Sequence, residues 1–409
     1  MSLAKYSDTL YYLPHSVLLL VIVDATYDHV AEDESLGVHH SLSHAVRDLV
    51  ALASLVKMAT TVPEKERTRE KSSQINSTPL TGTGSTTAVA DDIDDVDDVD
   101  DDVMSCRTIT TTFTSVASSI WLHDYKYGRR YHHYYSGSYN FPNDNSEQER
   151  LDIIHHICVR LLDGRLFLAP VEHLKLARVL DIGTGTGVWA LDFADEFPSA
   201  EIVGNDLSPI QPDWVPPNVQ FIVDNTELDW VEPHRYDFIH SRHLAGSIRN
   251  WPNLMRQIYE NLYPGGWVEL QEFTNILYST DGALEEDNPL ALMIGGLAAA
   301  CEKIERTFRP TPFLKGWVEE AGFINVEQQT MQVPIGSWPK DPKLKEIGTW
   351  MSYSFVKGFD ALTAVLFRDV LGWHREELGA LEEKVKQAAQ QSHAHIYMSF
   401  NILTGQRPF

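Results

Sequence analysis

An α/β fold, built on a parallel sheet with helices on both faces, is what this 409-residue sequence predicts, and three observations predict it. Short apolar runs rich in β-formers alternate with helical segments, the pattern of repeated βαβ units. A turn with three alternating glycines, Gly183-Thr184-Gly185-Thr186-Gly187, stands where one such run ends and a helix begins. An acid closes or directly follows each of the first three runs: Asp181, Asp206 and Asp224.

Taken in order, Ser146 to Leu162 reads as a helix, with Ser146 as its N-cap and Glu147 and Glu149 in its first turn. Ala177 to Ile182 is the first strand, and the helix after the glycine turn runs to about Phe197. Glu201 to Asp206, Val219 to Val223, Tyr236 to His240 and Trp267 to Gln271 supply four more strands, with a helix over Pro252 to Leu262 before the last. A helix over Phe313 to Ala321 then leads through Gly322 into a strand at Phe323 to Val333. Helical patterns fill Pro342 to Gln391, and His395 to Leu403 closes the sheet. These elements place one domain over residues 120–409, within the size a single α/β domain reaches.

Upstream the composition changes. From Thr60 to Thr112 Ser, Thr, Asp and Gly dominate and aromatics are absent, so residues 60–119 read as a disordered acidic linker. The aspartate run Asp91 to Asp102 has no glycine turn or fixed ligand spacing, so it reads as a solvating tail rather than a calcium loop. Residues 1–59 are an extension without a chemical motif, holding one helical stretch from Ser41 to Met58.

Formal net charge is −25, which speaks against a nucleic-acid partner. The longest strongly apolar run, Val17 to Val23, falls far short of the roughly 20 residues of a membrane span, and Lys5 alone precedes it as a base, a poor signal peptide. Cys106, Cys158 and Cys301 are far apart and form no CxxC pair, so neither a disulfide framework nor a zinc site is expected. A cytoplasmic or nuclear location follows. The run Lys65 to Lys71 alternates bases with acids and is a weak import signal.

Three alternating glycines let a backbone approach a ligand closely and expose amide groups at a helix N-terminus, which implies a nucleotide-type ligand at the carboxyl edge of the sheet. Gly185, Gly187 and Ala190 also fit the dinucleotide fingerprint, with Asp206 nineteen residues after Gly187, so the glycines alone leave NAD open. Asp181 tips the balance, because it puts negative charge where a pyrophosphate would lie. S-adenosylmethionine (SAM) instead carries an ammonium and a sulfonium, with a ribose diol that Asp206 can hold by two hydrogen bonds. Asp224 and Asn225 then receive the adenine. The plainer alternative is that the glycines only form a tight turn and Asp206 caps it at Ser208.

At these residues the sequence resembles a class I SAM-dependent methyltransferase, and more narrowly the fungal LaeA-like family of secondary-metabolism regulators. The carrying segments are VLDIGTGTGVWALDFADEFPSAEIVGNDLSPIQPDWVPPNVQF, YDFIHSRHLAGSIRNW and YPGGWVELQEF, and the resemblance covers about residues 125 to 409. Gly128 to His132, Pro142 to Asp144 and Glu149 to Asp152 resemble that family's N-terminal cap. The resemblance implies a Rossmann-like sheet of seven strands, the last antiparallel, with a helical cap and a helical insertion before the last strand. It implies Asp181, Gly183, Gly185 and Gly187 around the methionine part, Asp206 and Leu207 at the ribose, and Asp224 with Asn225 at the adenine. The first 120 residues and Asn225, where many relatives carry a second acid, depart from it.

Other residues give weaker signals. Tyr125, Tyr127, Tyr131, Tyr134 and Tyr135 lie among Arg129, Arg130, His132 and His133, either a lid whose rings attract a sulfonium or a loop on the sheet edge. The resemblance raises the lid reading for Arg129 and Tyr131 only. His240 and His243, with Arg242, follow the fourth strand, where one histidine could take a proton from an acceptor. Positioning alone can complete methyl transfer, so no catalytic residue is firmly assigned. Trp350, Tyr353, Phe355, Phe359 and Trp373 are helix core or an acceptor-pocket lining. His155 and His156 lack a ligand pair at helical spacing, so no metal is expected.

The function expected is methyl transfer from SAM to an unidentified small-molecule or protein acceptor, in fungal secondary metabolism or its regulation. The alternatives are a LaeA-like nuclear regulator acting mainly through protein partners and, further off, an NAD-dependent oxidoreductase.

Overall fold

The computed structural model describes residues 121–409 except 136, 138, 173, 231–234, 282, 283, 286 and 391–394. The expected divisions at 1–59 and 60–119 lie outside the described residues.

Five parallel strands form the frame: β3 (Arg178–Ile182), β4 (Glu201–Asp206), β5 (Val219–Val223), β6 (Tyr236–Arg242) and β7 (Leu262–Phe273). Their order is β5-β4-β3-β6-β7, so the chain winds outward from β3 both ways and reverses direction between β3 and β6. In an open sheet that switch point is where a crevice forms at the carboxyl ends. β10 (Ile396–Gln406) pairs antiparallel with β7 on one side and with β9 (Ile324–Pro334) on the other. Those seven strands match the expectation, with the last strand antiparallel. An eighth, the two-residue β8 (Tyr278–Ser279), continues along β10 beyond the end of β7.

Period-two alternation explains both faces. Val179, Ile202 and Phe238 point to one side and pack with Trp189, Ala190 and Phe193 of α2 (Val188–Glu196). Leu180, Ile182, Val203 and Ile239 point to the other and pack with α3 (Trp251–Asn261) and α5 (Thr311–Glu320).

A third core lies off the sheet. The cap helix α1 (Asn145–Leu161) packs with α4 (Pro289–Lys303), α6 (Pro342–Val365) and α7 (Arg375–Gln390) of the later chain. α6 continues into a π-helical turn at Leu366–Val370. Two details correct the sequence reading. The N-cap of α1 is Asp144, whose carboxylate accepts from Glu147 N at 3.1 Å, rather than Ser146. The tyrosine-rich segment folds partly into a hairpin, β1 (His123–Lys126) and β2 (Arg129–His132), turned by Tyr127 and Gly128 at φ 53° and 78°.

Candidate functional site

The glycine turn leaves β3 at the switch point, and Gly183, Gly185 and Gly187 all take positive φ. Their reasons differ. A Cβ on Gly183 would fall 2.4 Å from Leu244 Cδ2, and one on Gly187 2.4 Å from Phe221 Cζ, so these two glycines serve the protein's own packing. At Gly185 the nearest atom is Leu151 Cδ1 at 3.6 Å, a site with room.

Asp181 lies beneath this turn and is buried. One carboxylate oxygen accepts from Thr184 Oγ1 at 2.6 Å and the other meets His240 Nδ1 at 2.7 Å. Asp206 ends β4, where Oδ2 accepts from Gly185 N and Oδ1 from Ser208 N, both at 2.9 Å. Burial pushes its carboxyl up to about 6, against those amide hydrogen bonds, which favour the ionised form. The capping contact at Ser208 foreseen in the plainer alternative is therefore present. A carboxylate offers about four lone-pair sites, so two remain for a diol. Leu207, beside it, is half-buried.

Asp224 follows β5, is exposed, and accepts from Asn225 N at 2.8 Å, while its own amide donates to Asp206 O at 3.0 Å. Asn225 Oδ1 is used in the following turn, accepting from Glu227 N. The three acids thus stand at the carboxyl ends of adjacent strands β3, β4 and β5.

The cap covers this edge. Asp152 of α1 accepts from Thr186 Oγ1 at 2.7 Å, and Asn143 Nδ2 donates to Ser208 Oγ at 3.3 Å. Gln211 Nε2 donates to Gly185 O at 2.7 Å. All three lie in segments that carry the family resemblance, yet none was singled out as a site residue, because a lone Asn, Asp or Gln has no periodic or spacing signal of its own. Tyr134, raised chiefly by its hydrogen bond to Tyr135 and by burial, also feels the Asp224 charge, which puts the hairpin's exit near the β5 end.

Arg129 and Tyr131 take different places. Arg129 is held bidentately by Asp144 at 2.5 and 2.8 Å, an anchor of the hairpin to α1 rather than a free cation. Tyr131 is buried, and its hydroxyl has no hydrogen-bond partner among the described residues.

The two histidines separate as well. His240 is fully buried, stacked on Trp189 at 3.8 Å between ring centres, and burial lowers its pKa against the pull of Asp181. It reaches no acceptor space and is a buried support of the turn. His243 instead sits at φ 62° on the wall of a cavity of about 700 Å³, counted with its mouth. The cavity lies between α1, α4, α6 and the ends of β6 and β7, beside the glycine turn rather than on it. Burial, then Arg150 and Arg242, push His243 down to about 3, so its ring is neutral. Of the insertion's aromatics only Phe355 lines the cavity; Trp350 and Phe359 are core and Trp373 packs on Phe367. The His155 ring bridges Asp192 at 3.0 Å and Arg242 at 2.7 Å. No helix among the described residues is long and apolar enough to cross a membrane.

The family profile described as a methyltransferase domain matches residues 153–328. Methyltransferase pytC of Aspergillus terreus is 53% identical over 297 residues, 72% of this chain and 91% of its own. The secondary metabolism regulator LAE1 of Cochliobolus heterostrophus is 36% identical over 291 residues, 69% of this chain and 94% of its own. The secondary metabolism regulator laeA of Aspergillus fumigatus is 33% identical over 295 residues, 69% and 76%. A switch-point glycine turn with three strand-end acids, and relatives matched over most of their length, lead to one statement: the chain belongs to the LaeA-like family of SAM-dependent class I methyltransferases.

Proposed function

We propose that SAM lies along the carboxyl ends of β3, β4 and β5, and that the chain methylates an acceptor of secondary metabolism. The observation that carries the cofactor placement is the row of acids Asp181, Asp206 and Asp224 on three adjacent strand ends. The bound cofactor supplies an electrophilic methyl group on a sulfonium. In this reading Asp206 accepts from the ribose hydroxyls through its remaining lone pairs, with Leu207 against the sugar. Asp224 and Asn225 border the adenine. Gly183, Gly185 and Gly187 shape the floor under the methionine part, and Asp181 sets their turn from below. Of the three glycines, Gly185 is the one where an added Cβ finds room, 3.6 Å from Leu151 Cδ1, so space beside its backbone is open to a ligand. Arg129 acts at one remove, by fixing Asp144 and with it the cap, and Tyr131 belongs to the same cap.

Calorimetric titration with SAM and separately with NAD tests this. SAM is expected to bind saturably and NAD not at all, and Asp206→Ala is expected to weaken SAM at least tenfold. NAD binding, or unchanged SAM affinity in Asp206→Ala, overturns the placement.

The names of the relatives favour a second reading, a nuclear regulator acting through protein partners. It is separated by a gene deletion with metabolite profiling. Loss of one methylated product favours a dedicated enzyme in the cytoplasm, and change in many unrelated metabolites favours the regulator.

A further inference from the structure

The cavity beside the glycine turn has a chemistry of its own. Phe273, Ile294, Leu297 and Phe355 line it with apolar surface, and its polar wall includes His243 and Arg150. No Asp or Glu lines it. Neither ring nitrogen of His243 has a hydrogen-bond partner among the described residues. Arg150 is buried and held bidentately by Glu147 at 2.9 and 2.7 Å, so it is a fixed donor whose charge is already paired. The empty space of about 700 Å³ includes the open mouth, so the cavity admits a ligand from solvent.

We propose that this cavity is the acceptor subsite and takes an apolar small molecule bearing an acidic hydroxyl, a phenol or an enol, which is methylated on oxygen. The proposal rests on the cofactor placement above. An ammonium, such as that of a lysine side chain, would be desolvated in a cavity whose lining offers no carboxylate to pair it, which is costly. A hydroxyl can donate to the neutral ring of His243. That ring is a feeble base, held neutral by burial and by the two neighbouring guanidinium groups. The ring therefore serves as a hydrogen-bond acceptor, and the proton must be one that solvent can take as the methyl is transferred, which a phenol or an enol offers and an aliphatic alcohol does not. In the step, the O–H proton leaves past His243 to solvent. An oxygen lone pair forms the O–CH₃ bond as the CH₃–S bond breaks. The bonding pair stays on sulfur, which ends as a neutral thioether, and the product is a methyl ether.

The test uses the full chain, methyl-tritiated SAM, 2-naphthol as the probe acceptor and a lysine-rich peptide as its competitor. Label is expected in 2-naphthol and not in the peptide. Leu297→Trp, which fills the cavity, is expected to cut 2-naphthol binding at least tenfold while SAM affinity stays within about twofold. Phe355→Trp, on another lining residue, repeats the test should Leu297→Trp fail to fold. His243→Ala is expected to lower kcat at least tenfold with a smaller change in KM, and His243→Gln to recover part of it. Label in the peptide alone, or 2-naphthol bound equally by wild type and the filled variants, overturns the acceptor assignment. Loss of SAM binding in the wild type overturns the cofactor placement instead.

Discussion

His240 Nδ1 lies 2.7 Å from Asp181 Oδ1, fully out of water, with the Trp189 ring stacked on its other face. The pair joins the end of β3 to β6 directly beneath the glycine turn. A residue expected to touch the methionine part is thereby also a tie inside the sheet. Removing it leaves a buried imidazole and the Thr184 hydroxyl without their acceptor. Asp181→Ala is expected to cost about 1–3 kcal/mol of stability. Asp181→Asn keeps one acceptor oxygen and should cost less. Urea unfolding followed by tryptophan fluorescence reads both, and equal losses would show that the hydrogen bonds are not what matters.

The glycines separate fold from ligand. Gly187→Ala places a methyl group against Phe221 at φ 81° and is expected to destabilise by about 1–3 kcal/mol. Gly185→Ala has room and is expected to cost about 1 kcal/mol from backbone strain alone, yet to weaken SAM strongly. Melting curves with and without SAM distinguish them. A Gly185→Ala protein that melts as wild type and still gains the full shift from SAM would remove Gly185 from the site.

Much of the frame was legible because parallel strands buried on both faces write themselves as continuous apolar runs; β4 has the bounds its sequence announces, and so has the edge strand β5, although Gln220 and Ile222 are exposed. Helix α4 was not. No element was expected over residues 289–303, and within that helix Gly296 admits the Phe367 ring, 2.2 Å from where a Cβ would stand. Ser146 and Asp144 are equally good caps by residue type, and only the long-range grip of Arg129 on Asp144 decides between them. The fates of His240 and His243, three residues apart, were likewise beyond local reading. One points into the sheet and the other, at positive φ, onto a cavity built by helices from both ends of the domain.

Buried acids and a buried histidine set opposite pH limits. Burial pushes Glu272 up to about 8 and Glu269 up to about 7, with Asp206 at about 6. From pH 4 to 8 the folded chain therefore holds protons that the unfolded chain has released, and stability falls as pH rises through these values. His243 works the other way. Unfolded, it takes a proton below about 6.5, and folded it refuses one until about 3, so stability falls as pH drops through that window. Between pH 5 and 8 the three raised acids outweigh the one histidine, so the melting temperature of the ligand-free protein should fall across that range, with His243 only moderating the fall below pH 6.5. Glu272→Gln should flatten the alkaline fall, and a melting temperature that climbs from pH 6 to 8.5 contradicts the assignment.

The hairpin is clasped at its tip by the π-helical turn. Lys126 and the Tyr127 hydroxyl both engage Asp369, and the Arg368 guanidinium lies 3.6 Å from the Tyr127 ring centre. Lys126 and Tyr127 at the tip are exposed, so the ion pair is worth about 0–1 kcal/mol and the cation–π contact about as much. The clasp therefore controls local opening far more than global stability. Asp369→Ala should shift the melting temperature by no more than a few degrees. It should raise the rate of tryptic cleavage after Lys126 several-fold, because the tip must leave α6 to enter a protease. Arg129, still held by Asp144, limits that opening to the tip. Adding Asp144→Ala should speed cleavage further and also weaken the start of α1, which loses its cap. Cleavage at the wild-type rate in Asp369→Ala would mean that the Arg129 anchor alone holds the hairpin down.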